Sequence, residues 1–127
     1  MENLIIEGKV HLPNVIFDKK QNKFEISGQS MPEDVIAFYT PILKWIDEYS
    51  QSPNDTTTLN MKLVYFNTSS SKMIYEMINK LDKLYKNNHK VQVLWYYDED
   101  DEDMIASGKK LEKYFSVPFN FITYDPE

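Results

Sequence analysis

The sequence predicts a single α/β domain over residues 1–127, with a mixed β-sheet, an N-terminal hairpin, a C-terminal β-α-β-α-β unit and helices mainly on one face. Three observations carry this prediction. The chain has 127 residues, 42% hydrophobic and 14% aromatic, which is one ordinary domain with enough apolar side chain for a core. Two apolar stretches near the N-terminus flank a polar turn, as hairpin strands do. From Leu59 onward, strand-like and helix-like segments alternate, which implies parallel strands joined by right-handed helical crossovers.

The elements follow in order. Asn3 to Glu7 reads as a short first strand. Val15-Ile16-Phe17 and Phe24-Glu25-Ile26-Ser27-Gly28 enclose the turn Asp18-Lys19-Lys20-Gln21-Asn22. Ser30-Met31-Pro32-Glu33 then has the spacing of a capping box, with proline tolerated in the first turn. Val35, Phe38, Tyr39, Ile42, Trp45, Ile46 and Tyr49 recur at helical spacing, and Pro41 within them is expected to kink or split the helix. Leu59 to Phe66 alternates as a strand, with Leu59, Met61, Leu63 and Tyr65 on one face. A second helix carries the stripe Met73, Ile74, Met77, Ile78, Leu81, Leu84 and Tyr85, and Asn87-Asn88-His89 ends it. Val91 to Tyr97 is the strongest strand. A helix near Asp101 to Tyr114 turns Met104, Ile105, Gly108, Leu111 and Phe115 inward, and Phe119 to Tyr124 is the last strand.

Composition excludes several functions. There is no cysteine, so disulfides, thiolate nucleophiles and cysteine-ligated zinc are ruled out. That usage suits a reducing cytoplasm, and neither a signal peptide nor a membrane-spanning apolar run is visible, so a cytoplasmic protein is expected. All 14 basic residues are lysine and the net charge is -6, which argues against nucleic-acid binding and against bidentate guanidinium contacts to phosphate. The acidity is local. Asp98 to Asp103 reads DEDDED, and without these six the remaining 14 carboxylates balance the 14 lysines.

Two features bear on function. The first is the turn Asn67-Thr68-Ser69-Ser70-Ser71-Lys72 between an apolar strand and an amphipathic helix. A helix start leaves backbone N–H groups unpaired and carries partial positive charge, so a phosphate, bound or covalently attached, would be accommodated there. The plainer reading is a Ser/Thr cap with spare hydroxyls. The turn lacks the glycines of a phosphate-cradling loop. The second feature is the acidic run. It is either a solvated helix start, a surface for a basic partner, or a divalent-cation site, although it lacks EF-hand spacing. In parallel β-α-β units, ligands gather beyond the carboxyl ends of strands. If the two strands are neighbours, the hydroxyl turn and the acidic run share one edge, and a phosphate on the turn would meet repulsion from six carboxylates. His11 and His89 each adjoin a turn and read as surface residues.

The order Gly28-x-Ser30-x-Pro32-Glu33-Asp34, Phe38-Tyr39-x-Pro41-Ile42, Trp45, Tyr65-Phe66-Asn67-Thr68-Ser69-Ser70-Ser71-Lys72 and Trp95-Tyr96-Tyr97 before an acidic run resembles the SiaC family of bacterial regulatory phosphoproteins, from about Pro13 to Phe121. The resemblance implies a STAS-like domain, akin to anti-sigma-factor antagonists, that acts by partner exchange and is not an enzyme. It implies a Ser/Thr kinase of the histidine-kinase-like ATPase type that phosphorylates Thr68, and a PP2C-type phosphatase that reverses it. The unphosphorylated form would bind and activate a diguanylate cyclase, raising cyclic di-GMP and favouring biofilm or aggregation. Asn67, Ser69, Ser70, Ser71 and Lys72 would shape the surface those partners read. Asp98, Asp100, Asp101 and Asp103 join them as candidate partner contacts. No cofactor and no metal is expected on this reading. Two alternatives stay open: an antagonist acting on a sigma-factor regulator, and a small metal-dependent enzyme using the acidic run.

Overall fold

The computed structural model describes residues 1–124. Its six strands are β1 (Leu4–Ile6), β2 (Asn14–Asp18), β3 (Lys23–Ser30), β4 (Thr56–Phe66), β5 (Lys90–Tyr97) and β6 (Phe119–Thr123). They form one sheet whose spatial order is the chain order. β1, β2 and β3 pair antiparallel, and β3 to β6 pair parallel. The helices α1 (Val35–Tyr49), α2 (Thr68–Lys86) and α3 (Glu102–Glu112) make the three crossovers between the parallel strands. Successive right-handed crossovers in one direction put all three helices on the same face. Beneath them lies the core, with Val15, Phe17, Phe24, Ile26, Leu59, Met61, Val93 and Trp95 from the strands. Trp45 and Tyr49 of α1 stack at 5.4 Å and pack against Phe17 and Phe24.

The opposite face is more polar. There Lys62 pairs with Glu25 at 3.0 Å and lies over the ring of Tyr96. The neighbouring Tyr124 hydroxyl is buried without a partner among the described residues, and burial, with help from Glu25 and Tyr96, pushes it up to about 12.

Three local expectations are corrected. Ser30 does not cap α1. It ends β3, buried, and Asp34 is the cap, its carboxylate accepting from the Ala37 N–H at 3.0 Å. The Ser-x-x-Glu pattern lost because the Ser30 hydroxyl is used in the core. Pro41 does not split the helix, which runs unbroken from Val35 to Tyr49. Pro41 and Ala37 are both exposed, so the carbonyl that loses its donor faces water. Finally, Tyr65 leaves the face of Leu59, Met61 and Leu63. The register slips by one residue where Gly28 pairs with Leu63 and Gln29 with Tyr65. Such a bulge reverses the alternation, so Phe66 turns inward against Trp95 while Val64 and Tyr65 are about half exposed. Gly28 supplies the left-handed backbone there, with φ of 95°.

The candidate functional site

β4 and β5 are parallel neighbours, so the hydroxyl turn after β4 and the acidic run after β5 share the carboxyl edge of the sheet, as the sequence suggested. At the turn, Asn67 is the helix cap: its side-chain carbonyl accepts from the Ser70 N–H at 3.0 Å. Asn is as good a cap as Ser and better placed here, and this leaves the four hydroxyls on the first turn of α2.

Their fates differ. Ser69 is exposed and donates to the Asn67 side chain at 3.1 Å. Ser71 is half-buried and donates to the Thr68 carbonyl at 2.6 Å. Ser70 is fully buried. It donates to the Ser30 carbonyl at 2.9 Å and accepts from the Ser30 hydroxyl, also at 2.9 Å. The Tyr39 hydroxyl lies 2.6 Å from that of Ser30. Burial raises the Tyr39 phenol above its ordinary range against the opposing pull of the two serines, so it keeps its proton. The chain Tyr39–Ser30–Ser70 thus ties α1, β3 and α2 together. Ser70 was expected on the partner surface, but burial takes it out of reach. Thr68 is exposed, and among the described residues its hydroxyl has no protein partner.

Thr68 also borders a groove of about 820 Å³ between α2 and α3. Ser71, Lys72 and Tyr75 continue the α2 wall; Lys110, Leu111 and Tyr114 form the α3 wall. Phe66 and Asn67 line it from the strand end. Tyr75 meets Tyr114 edge-on at 5.6 Å and Phe115 at 5.0 Å. Farther along α2, the buried Asp82 carboxylate accepts the N–H groups of Ser116 and Val117, both at 2.8 Å, and pairs with Lys86 at 3.1 Å. Burial alone would raise this carboxyl, but those donors outweigh it and hold it below the usual range. Asp82 therefore clasps α2 to the loop that follows α3, while the groove is open beside Thr68.

Sequence reasoning missed Tyr75, Lys110 and Tyr114. A signal existed. Ser107, Lys110, Leu111 and Tyr114 share one face of a helix by their spacing, and Tyr75 stands off the apolar stripe of α2.

The acidic run is partly structural. Asp101 caps α3, accepting from the Met104 N–H at 3.0 Å, and Asp98 accepts from the Asp100 N–H at 3.0 Å. Asp100 and Asp103 are exposed, with Glu99 and Glu102 beside them. None of the six lines the groove. Among the described residues no three His, Cys, Asp or Glu side chains converge as a metal site would need, and no helix is long and apolar enough to cross a membrane.

Comparison with known proteins agrees with this architecture. The family model described as SiaC family regulatory phosphoprotein matches residues 6–124. An uncharacterized protein of Pseudomonas aeruginosa (strain UCBPP-PA14) is 23% identical over 125 residues, covering 98% of this chain and 99% of that one. Apo-SiaC from Pseudomonas aeruginosa has the same fold, with a TM-score of 0.90 at 22% identity, over 96% of this chain and 99% of its own. The structure of the diguanylate cyclase SiaD in complex with its activator SiaC, from the same organism, matches with a TM-score of 0.90 at 22% identity, over 95% of this chain and 99% of that one.

Proposed function

The chain belongs to the SiaC family of regulatory phosphoproteins, and from that premise we propose that it is a non-catalytic partner switch set by reversible phosphorylation of Thr68. A Ser/Thr kinase of the histidine-kinase-like ATPase type adds the phosphate and a PP2C-type phosphatase removes it. The unphosphorylated form binds and activates a diguanylate cyclase, as the SiaC of Pseudomonas aeruginosa is the activator of SiaD, and so raises cyclic di-GMP and favours biofilm or aggregation. The observation that carries this reading is the position of Thr68. Among the described residues it is the exposed hydroxyl of the turn without a protein partner, at the edge of the α2–α3 groove. A kinase can reach it without breaking the cap or the buried chain of hydroxyls.

The groove and the exposed carboxylates Asp100 and Asp103 form the surface the cyclase reads. Phosphorylation adds about -1.5 to -2 charge and considerable bulk at that surface. Adding such a charge within an interface carries a desolvation cost, so the cyclase is released.

The test is to incubate the protein with the kinase and ATP and to map the product by peptide mass spectrometry. The kinase is sought as the protein that co-purifies with Thr68→Ala. One phosphate, on Thr68, is expected. Thr68→Ala should take none and should still stimulate cyclic di-GMP synthesis. Thr68→Asp should bind the cyclase at least about tenfold more weakly, or about 1.4 kcal/mol. Equal cyclase affinity for the modified and unmodified proteins would overturn the mechanism.

A further inference from the structure

We propose that a phosphate on Thr68 is held within the groove by Lys110 of α3, so that modification draws α3 onto α2 and fills the space a partner would occupy. This deepens the reading of Thr68 as the modified residue and rests on it.

The charges lining the groove carry the argument. Thr68 stands on the α2 wall and Lys110 on the α3 wall of the same cavity. Among the described residues Lys110 has no carboxylate within ion-pair distance, and the ion pairs present use Lys62, Lys80 and Lys86 instead. The adjacent Lys109 is committed elsewhere, its ammonium 4.1 Å from the Phe121 ring centre on the sheet side of α3. On the α2 wall Lys72 follows Thr68 by one turn, and Glu76 follows Lys72 by another. The groove thus presents two ammonium groups and one carboxylate. That balance is opposite in sign to the acidic run, which shares the edge but stays outside the groove.

A phosphate here forms charge-assisted hydrogen bonds to lysine. Lys72 lies on the same helix as Thr68 and can only hold the phosphate locally. Lys110 crosses the gap, and its pairing closes the end of the groove that the Asp82 clasp leaves open. Phosphorylation therefore acts by filling and closing the groove as well as by repulsion. Releasing Lys110 weakens the effect without removing the phosphate.

The test installs phosphothreonine at position 68 of the full chain by genetic code expansion, which makes it independent of any kinase. Phosphorus NMR then follows the second ionisation of the phosphate against pH in otherwise wild-type protein, Lys110→Gln, Lys72→Gln and Lys113→Gln. An ordinary phosphate titrates near about 6. In the wild-type background the midpoint should lie about half a unit or more lower. Lys110→Gln should move it back by at least half of that shift, while Lys113→Gln, which lies outside the groove, should leave it in place. Hydrogen exchange along residues 107–114 should slow on phosphorylation and stay fast in Lys110→Gln. A midpoint unchanged by Lys110→Gln, or restored only by Lys72→Gln, would overturn the closure. A kinase that leaves Thr68 unmodified would instead overturn the parent reading, with the NMR result standing on its own.

Discussion

Four consecutive hydroxyl residues on one helical turn do three different things. Ser69 and Ser71 satisfy local acceptors, Thr68 faces water, and Ser70 anchors the turn to the core. Removing the Ser70 hydroxyl leaves the Ser30 hydroxyl without its acceptor and the Ser30 carbonyl short of a donor, both buried. Ser70→Ala should therefore cost about 1–3 kcal/mol. Ser69→Ala, on the exposed side of the same turn, should change stability by less than about 0.5 kcal/mol. Urea unfolding of the two variants checks the contrast. The sequence marked this turn as a helix start because its residue types are cap residues. It did not separate the four hydroxyls, because burial depends on which of them faces Ser30, forty residues earlier in the chain. Ser30 was misread for the same reason: Ser-x-x-Glu satisfies a local rule, while its actual partners Tyr39 and Ser70 are brought together by the fold.

At the scale of elements, the approach of α3 to the sheet depends on one residue. Gly108 is buried, and a Cβ there would come within 2.6 Å of Trp95 Nε1 and 2.8 Å of a Phe121 ring carbon. Trp95 Nε1 also donates to the Met104 carbonyl at 3.0 Å, so the indole is not free to yield. Alanine would raise helix propensity by about 1 kcal/mol, but overpacking costs typically about 1–3 kcal/mol. Gly108→Ala should thus be destabilising, with α3 and its groove wall displaced. A lower thermal midpoint and altered chemical shifts for Lys110 and Tyr114 are the expected readouts. The strand and helix periods were legible because each element is strongly patterned, as in the stripe of α2. The bulge in β4 was not, since it arises from pairing with β3 at Gly28 rather than from the strand's own sequence. Nor was the groove, whose walls come from two helices that share no local pattern.

For the molecule as a whole, Asp82 makes stability depend on acidity. Its folded pKa lies below the unfolded value of about 3.9. Its contribution is therefore fully present above that value and is lost as pH falls through the folded pKa. Asp82→Ala leaves two backbone N–H groups unpaired and should cost about 2–4 kcal/mol at neutral pH. Asp82→Asn keeps an acceptor oxygen and should cost less. Its stability should also fall less steeply than that of the wild type in the acid limb, as denaturant midpoints at neutral pH and near pH 3 would show. The overall architecture was readable because β-α-β alternation admits few topologies. The proposed partners are not written in any local pattern; they are carried over from the family.

The strand order has a consequence for synthesis. Because each strand lies beside its predecessor in the chain, every new segment leaving the ribosome finds its pairing edge already built. No strand waits for a later one to be inserted beside it. Assembly can therefore be vectorial, growing from the hairpin toward β6, with each crossover helix laid down before the next edge is offered. The closure cost of each helical crossover grows only slowly with its length. The groove beside Thr68 takes shape only near the end, when α3 arrives, so the proposed switch becomes readable only after β1 to β5 are in place.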